Sequence, residues 1–113
     1  MTNPQAAEAQ ARFVDLVDAF AGRDGVTHGA GRRGFGSDAL QADGRIFAML
    51  KNEYLVLKLP NARVAALLKS GDGAAFDAGK GKPMKEWVML GPRVQEWWLP
   101  LAEEALSYVS NAL

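Results

Sequence analysis

Asp43-Gly44-Arg45-Ile46-Phe47-Ala48-Met49-Leu50-Lys51-Asn52-Glu53-Tyr54-Leu55-Val56-Leu57-Lys58-Leu59-Pro60 is the stretch whose reading decides the fold. Asp43-Gly44 is a dipeptide favoured in two-residue hairpin turns, whose central positions need positive φ. Arg45–Leu50 then reads as a strong strand, with Ile46, Phe47, Met49 and Leu50 as its apolar content. Lys51-Asn52-Glu53 turns the chain. Tyr54–Leu59 follows, with Leu55, Leu57 and Leu59 on one face and Tyr54, Val56 and Lys58 on the other. Two strands joined by so short a turn run antiparallel. Upstream, Ser37–Ala42 supplies a weaker arm, and Gly29 to Gly36 is too rich in glycine for a helix or a central strand.

Helical periods flank this meander. Asn3 and Pro4 suit a cap and a first helical position, and Phe13, Leu16, Val17 and Phe20 recur at i, i+3, i+4, i+7. Gly22 ends that helix, and Arg23-Asp24-Gly25 turns; Asp24–His28 makes a poor strand. After Pro60-Asn61, a short helix runs to Lys69, with Val64, Leu67 and Leu68 as its apolar side and Gly71 beyond its end. A further strand is expected around Ala75-Phe76-Asp77. The basic loop Ala78–Pro83 follows, then a last strand, Lys85–Leu90, stopped by Gly91-Pro92. Val94 to Ala112 is helical in period, with Trp97, Leu101, Ala105, Leu106 and Val109 near one stripe; either the helix begins near Pro100 or it kinks there. This order describes an α+β domain with helices packed on an antiparallel sheet.

At 113 residues the chain has room for one domain, residues 1–113, and a core that removes roughly two thirds of the unfolded surface from water. It contains no cysteine, which excludes disulfides, thiol nucleophiles and thiolate zinc sites. The amino terminus has no basic stretch followed by an apolar run, and no apolar stretch approaches the ~20 residues that span a bilayer. A cytoplasmic, bacterial-type protein with no membrane association is expected. The net charge of zero is unevenly spread. Residues 28–85 hold ten Lys or Arg against five Asp or Glu, whereas both ends are acidic.

Several patterns invite a chemical reading and fail it. Gly29-Ala30-Gly31-Arg32-Arg33-Gly34 spells a dinucleotide fingerprint, but no strong strand precedes it, and Asp43-Gly44 breaks any helix that follows. Gly79-Lys80-Gly81-Lys82 lacks the Ser or Thr of a phosphate loop, and Pro83 stands where the helix should run. His28 is the only histidine, with no sequence-near partner for a metal or a nucleophile. Glu96, Glu103 and Glu104 read as the solvated side of the last helix. No catalytic residue, cofactor or metal is expected. Trp97 and Trp98 are more informative. Adjacent residues on a helix cannot both face the core, so one of the two is expected at the surface, where it suits a partner or self-association interface.

Phe35-Gly36, the hairpin Asp43–Leu50, Leu57-Lys58-Leu59-Pro60, Phe76-Asp77 and Met84-Lys85-Glu86-Trp87-Val88 together resemble the TfoX amino-terminal-like and MmcQ/YjbR-like domains. The resemblance runs from about Gly34 to Val109, and is strongest to single-domain TfoX/Sxy-type proteins. It implies a sheet of about five antiparallel strands flanked by N- and C-terminal helices, similar to type III secretion chaperones, and a non-enzymatic regulatory role touching DNA or a protein regulator. It brings no catalytic residues. If nucleic acid is the partner, Arg32, Arg33, Lys51, Lys80, Lys82 and Lys85 are the expected phosphate contacts. The alternatives are a small-ligand binder with a pocket beside the Gly29–Gly36 loop, and a homodimeric domain joined through Trp97 and Trp98 or an exposed sheet face.

Overall fold

The computed structural model describes residues 4–28, 39–76 and 84–111, with side chains from residue 7 to residue 110. In chain order the elements are helix α1 (Pro4–Phe20), strands β1 (Val26–His28), β2 (Leu40–Ala42), β3 (Arg45–Lys51) and β4 (Tyr54–Lys58), helix α2 (Asn61–Ser70), and strands β5 (Ala74–Ala75) and β6 (Trp87–Leu90). A 3₁₀ helix, Pro92–Trp97, leads directly into helix α3 (Trp98–Asn111). The strands form one antiparallel sheet in the order β1-β2-β3-β4-β6-β5.

The deciding hairpin forms as its residues dictate. Asp43 and Gly44 take φ of 51° and 84°, the pair of positive values a type I′ turn requires, and Ala42 faces Arg45 across it. At the next turn Lys51 faces Tyr54, and Asn52 takes φ of 57°. The sheet has six strands where about five were expected. The additional one is β1, in the segment whose three residues carry little strand signal. Its backbone is held by pairing Val26 to Ala42 and His28 to Leu40, a gain that only the finished neighbour supplies.

Strict alternation fails once, in β3. Leu40 pairs with Ala48 and Gln41 with Ile46, so Phe47 is an extra residue, a β-bulge. The bulge turns Phe47 and Ala48 to the same side. Phe47, Ala48 and Leu50 therefore join the helix-side core, while Ile46 and Met49 belong to the cluster on the opposite face.

All three helices pack on one face. α1 contributes Ala9, Phe13, Leu16 and Phe20; α2 contributes Val64 and Leu67; α3 contributes Trp98, Leu101, Ala102, Ala105 and Val109. They meet Leu55, Leu57, Leu59, Val88 and Leu90 from the central strands. Phe20 meets Phe47 edge to face, with centroids 5.5 Å apart. Each such fully buried side chain stabilises the fold by about 1.5–3 kcal/mol. Leu68, expected on the buried side of α2, is instead 39% exposed, because the helix presents only its Val64–Leu67 edge to the sheet. Gly71, with φ of 83°, caps α2 by donating its N–H to the Leu68 carbonyl.

At the carboxyl end the first of the two sequence readings holds. Pro92–Trp97 is a separate turn-like segment, broken at Val94, and Pro100 lies in the first turn of α3, where its missing N–H costs no hydrogen bond. Ala102 rather than Leu106 centres the buried stripe. Trp98, one turn before Ala102, is therefore 2% exposed, and Trp97 is 55% exposed. Among the described residues no helix is long and apolar enough to cross a membrane.

Candidate functional site

The second face of the sheet is built differently from the first. Its apolar cluster consists of Ala39, Met49, Val56 and Phe76, with Ile46, Met84, Trp87 and Met89 half-buried against it, and none of these residues belongs to a helix. Two lysines lie on its aromatic rings. The Lys51 ammonium is 5.3 Å from the centroid of Phe76, and the Lys58 ammonium is 5.5 Å from that of Trp87. The two rings are themselves 6.2 Å apart. Lys51, Phe76, Trp87 and Lys58 thus form one row, in which two cations face ring quadrupoles. Lys58 also has Glu86 at 3.8 Å.

Of the six basic residues expected to meet phosphates, Lys51 ends β3 and is exposed, and Lys85 is exposed in the turn that enters β6. Arg32, Arg33, Lys80 and Lys82 lie outside the described residues. Ala39, which follows residues 29–38, belongs to the second-face cluster. So do Phe76 and Met84, which bound residues 77–83 and are joined by a 2.8 Å hydrogen bond from the Met84 N–H to the Phe76 carbonyl. Lys58, Phe76 and Trp87 were not singled out as a site from the sequence. Lys58 was placed correctly on the face of Tyr54 and Val56, but only the pairing of Lys58 with Trp87 across β4 and β6 brings ammonium and indole together.

On the helix side, acidic residues are tied to arginines that the sequence places far away. Arg23 grips Glu103 through both terminal guanidinium nitrogens, at 2.5 and 2.6 Å. That hydrogen bonding holds the Glu103 carboxyl below the usual carboxylate range and raises Arg23. Arg63 grips Glu104 in the same two-pronged way, at 3.0 and 3.2 Å. Glu103 and Glu104 lie on the exposed side of α3 as expected, with side chains 42% and 45% exposed, and both are also ion-paired, because α3 runs alongside the turn after α1 and alongside α2. Glu96 is exposed as expected. Glu86 accepts from the Tyr108 hydroxyl, and this hydrogen bond, with burial and the carboxylate charge adding to it, raises the tyrosine's pKa.

A groove of about 300 Å³ opens between α2 and the start of α3. Leu67, Leu90, Val94 and Leu101 line its apolar part, Trp97 stands at its lip, and Arg63, Ser70 and Asp72 supply polar groups. The adjacent Trp98 is unavailable to a partner, since its ring is buried and its Nε1 donates to the Gly91 carbonyl at 3.2 Å. His28 lies edge-on to Phe13, with ring centroids 6.3 Å apart. The dinucleotide fingerprint at Gly29–Gly34 lies outside the described residues, but the strand before it is an antiparallel edge strand, whereas that motif needs a parallel unit. Among the described residues no group of three or more His, Cys, Asp or Glu is placed to hold a metal ion. The arrangement is suited to binding through cations, rings and an apolar groove. Comparison of the chain with protein-family models, with curated proteins and with solved structures finds no match.

Proposed function

We propose that this chain is a non-enzymatic binding module of TfoX/YjbR-like type that contacts nucleic acid through the second face of its sheet. The observation that carries this reading is the row Lys51–Phe76–Trp87–Lys58, on a face whose apolar cluster takes no residue from the described helices. Lys51 and Lys58 supply phosphate attraction beside the half-buried Trp87, whose ring is the partly exposed one of the two, and single strands use that combination of cation and ring. Charge sidedness supports the same choice. On the other side of the sheet α1 carries Glu8, Asp15 and Asp18 against Arg12, and Arg23 and Arg63 are taken up by Glu103 and Glu104, so that side offers a polyanion little net attraction.

The contact is modest in size. Lys51, Lys58 and Lys85 together neutralise about three phosphates, which predicts a log–log salt slope of about −2 to −3. Fluorescence anisotropy with labelled single- and double-stranded oligonucleotides at low salt tests the reading. Lys51→Glu combined with Lys58→Glu is expected to weaken binding at least ~10-fold, while Lys69→Glu, on α2, leaves it unchanged. No binding to any oligonucleotide at low salt would refute it, and the protein regulator that the family resemblance also implies then becomes the partner to seek.

A further inference from the structure

The groove between α2 and α3 has a feature that the nucleic-acid reading does not use. Its lip is a tryptophan more than half exposed, and its interior is apolar. A protruding indole and a cleft able to receive one therefore lie on the same patch. That combination is self-complementary: a two-fold axis passing beside Trp97 lets each copy's indole enter the other copy's groove, closing the assembly at two.

The charges around the groove favour the same occupant. Arg63 is matched by Glu104, and Asp72 has Arg93 at 4.0 Å, so the surroundings carry both signs in balance. An acidic or a basic partner finds no net field to meet. A second copy does find its complement, because a two-fold operation can place Arg93 of one chain against Asp72 of the other. The Arg93 side chain is 74% exposed; among the described residues its one hydrogen bond, 3.0 Å to the Gly71 carbonyl, and the 4.0 Å contact to Asp72 use a single guanidinium nitrogen and leave the others open to a second chain. The chain's net charge of zero leaves no overall repulsion between copies.

We propose that this groove is a homodimer interface, in which Trp97 of each copy seats against Ala66, Leu67, Val94 and Leu101 of the other, with Asp72 and Arg93 paired between chains. An indole contributes on the order of 150–250 Å² of buried surface, so two of them supply only part of the roughly 1,200 Å² at the lower end of stable interfaces. The dimer is accordingly weak and reversible, with monomer dominant on dilution.

Sedimentation velocity across a concentration series tests this on the full chain. The expected result is a weight-average mass that rises from monomer toward dimer with concentration. Trp97→Ala should weaken association at least tenfold while keeping the circular dichroism spectrum and urea midpoint of the parent, since the ring is exposed. Asp72→Arg and Arg93→Asp should each weaken it, and an equimolar mixture of the two single variants should restore it, because opposite charges then meet only between chains, a recovery that the intrachain contact cannot produce. A chain that stays monomeric at millimolar concentration overturns the proposal and assigns the groove to a different molecule. So does a dimer that survives Trp97→Ala, and so does equal association by all the charge variants.

Discussion

The Nε1 of Trp98 donates a hydrogen bond to the carbonyl of Gly91 at 3.2 Å, pinning the first residue of α3 to the residue just beyond the end of β6. This one bond lets a large ring with a polar edge sit 2% exposed without an unsatisfied donor. It also fixes the rotation of α3, and with it the outward position of Trp97.

Trp98→Ala should therefore lower unfolding stability by about 3–5 kcal/mol, a large part of the ~5–15 kcal/mol total of an ordinary domain. Trp98→Phe keeps most of the packing but removes the indole's hydrogen bond to the Gly91 carbonyl, which then keeps only the Val94 N–H, for a loss of about 1 kcal/mol or less beyond the smaller ring. Trp97→Ala should change stability by no more than about 0.5 kcal/mol. Urea titrations of the three variants separate these outcomes. Equal losses at Trp97 and Trp98 would contradict the assigned rotation of α3.

Gly73 and Gly44 are needed for different reasons. A Cβ at Gly73 would stand 2.5 Å from Cγ2 of Val88 and 3.2 Å from Cβ of Leu67, where α2 closes on β6. Gly73→Ala should cost about 1–3 kcal/mol through overpacking. At Gly44 a Cβ meets nothing within 4 Å, but φ is 84°. Gly44→Ala should cost about 1 kcal/mol from backbone strain alone, and Gly44→Asn less, because asparagine tolerates the left-handed region. Thermal unfolding of the three variants checks the order. An asparagine variant weaker than the alanine one would show that the cost is not conformational.

The Arg23–Glu103 pair predicts a pH dependence of known sign. The folded-state pKa of Glu103 lies below its unfolded value, so the unfolded chain binds more protons between the two. The pair's contribution is complete above the usual carboxylate range and disappears as pH falls through the folded value. Both side chains are about 40% exposed, so the effect is small. Glu103→Gln should lower stability slightly at neutral pH and reduce the difference between urea midpoints measured at neutral and at acidic pH. An unchanged acid dependence in that variant would show that the pair does not hold in solution.

Tyr108 offers a spectroscopic check. Its phenol should ionise above the usual tyrosine range, because hydrogen bonding to Glu86, burial and the neighbouring carboxylate charge all favour the protonated phenol. Glu86→Gln should bring the tyrosinate absorbance midpoint of that group downward. A midpoint that does not move would remove Glu86 as the cause.

Much of this fold was legible in the chain. The Asp43-Gly44 turn, the Leu55–Leu57–Leu59 face, the Phe13–Leu16–Phe20 stripe and the Gly71 end of α2 all follow from dihedral limits and periodicity acting within a few residues. β1 was not legible, because its three residues become a strand only through β2. The bulge at Phe47 was hidden too, since a run of apolar residues looks the same with or without one extra residue. In the candidate site, Lys51 and Trp97 were visible, as a lysine at a strand end and as half of an adjacent pair. Lys58 over Trp87 was not.

Turn chemistry and the spacing of apolar residues are local, so the sequence by itself determined the helices, the central hairpin and the antiparallel, α+β class. Which tryptophan of the pair enters the core, whether Glu103 and Glu104 face water or arginine, and which side of the sheet no helix covers depend on elements 40 to 80 residues apart in the chain. Those choices belong to the tertiary structure, because burial and ion pairing are set by what arrives opposite a residue rather than by what stands beside it.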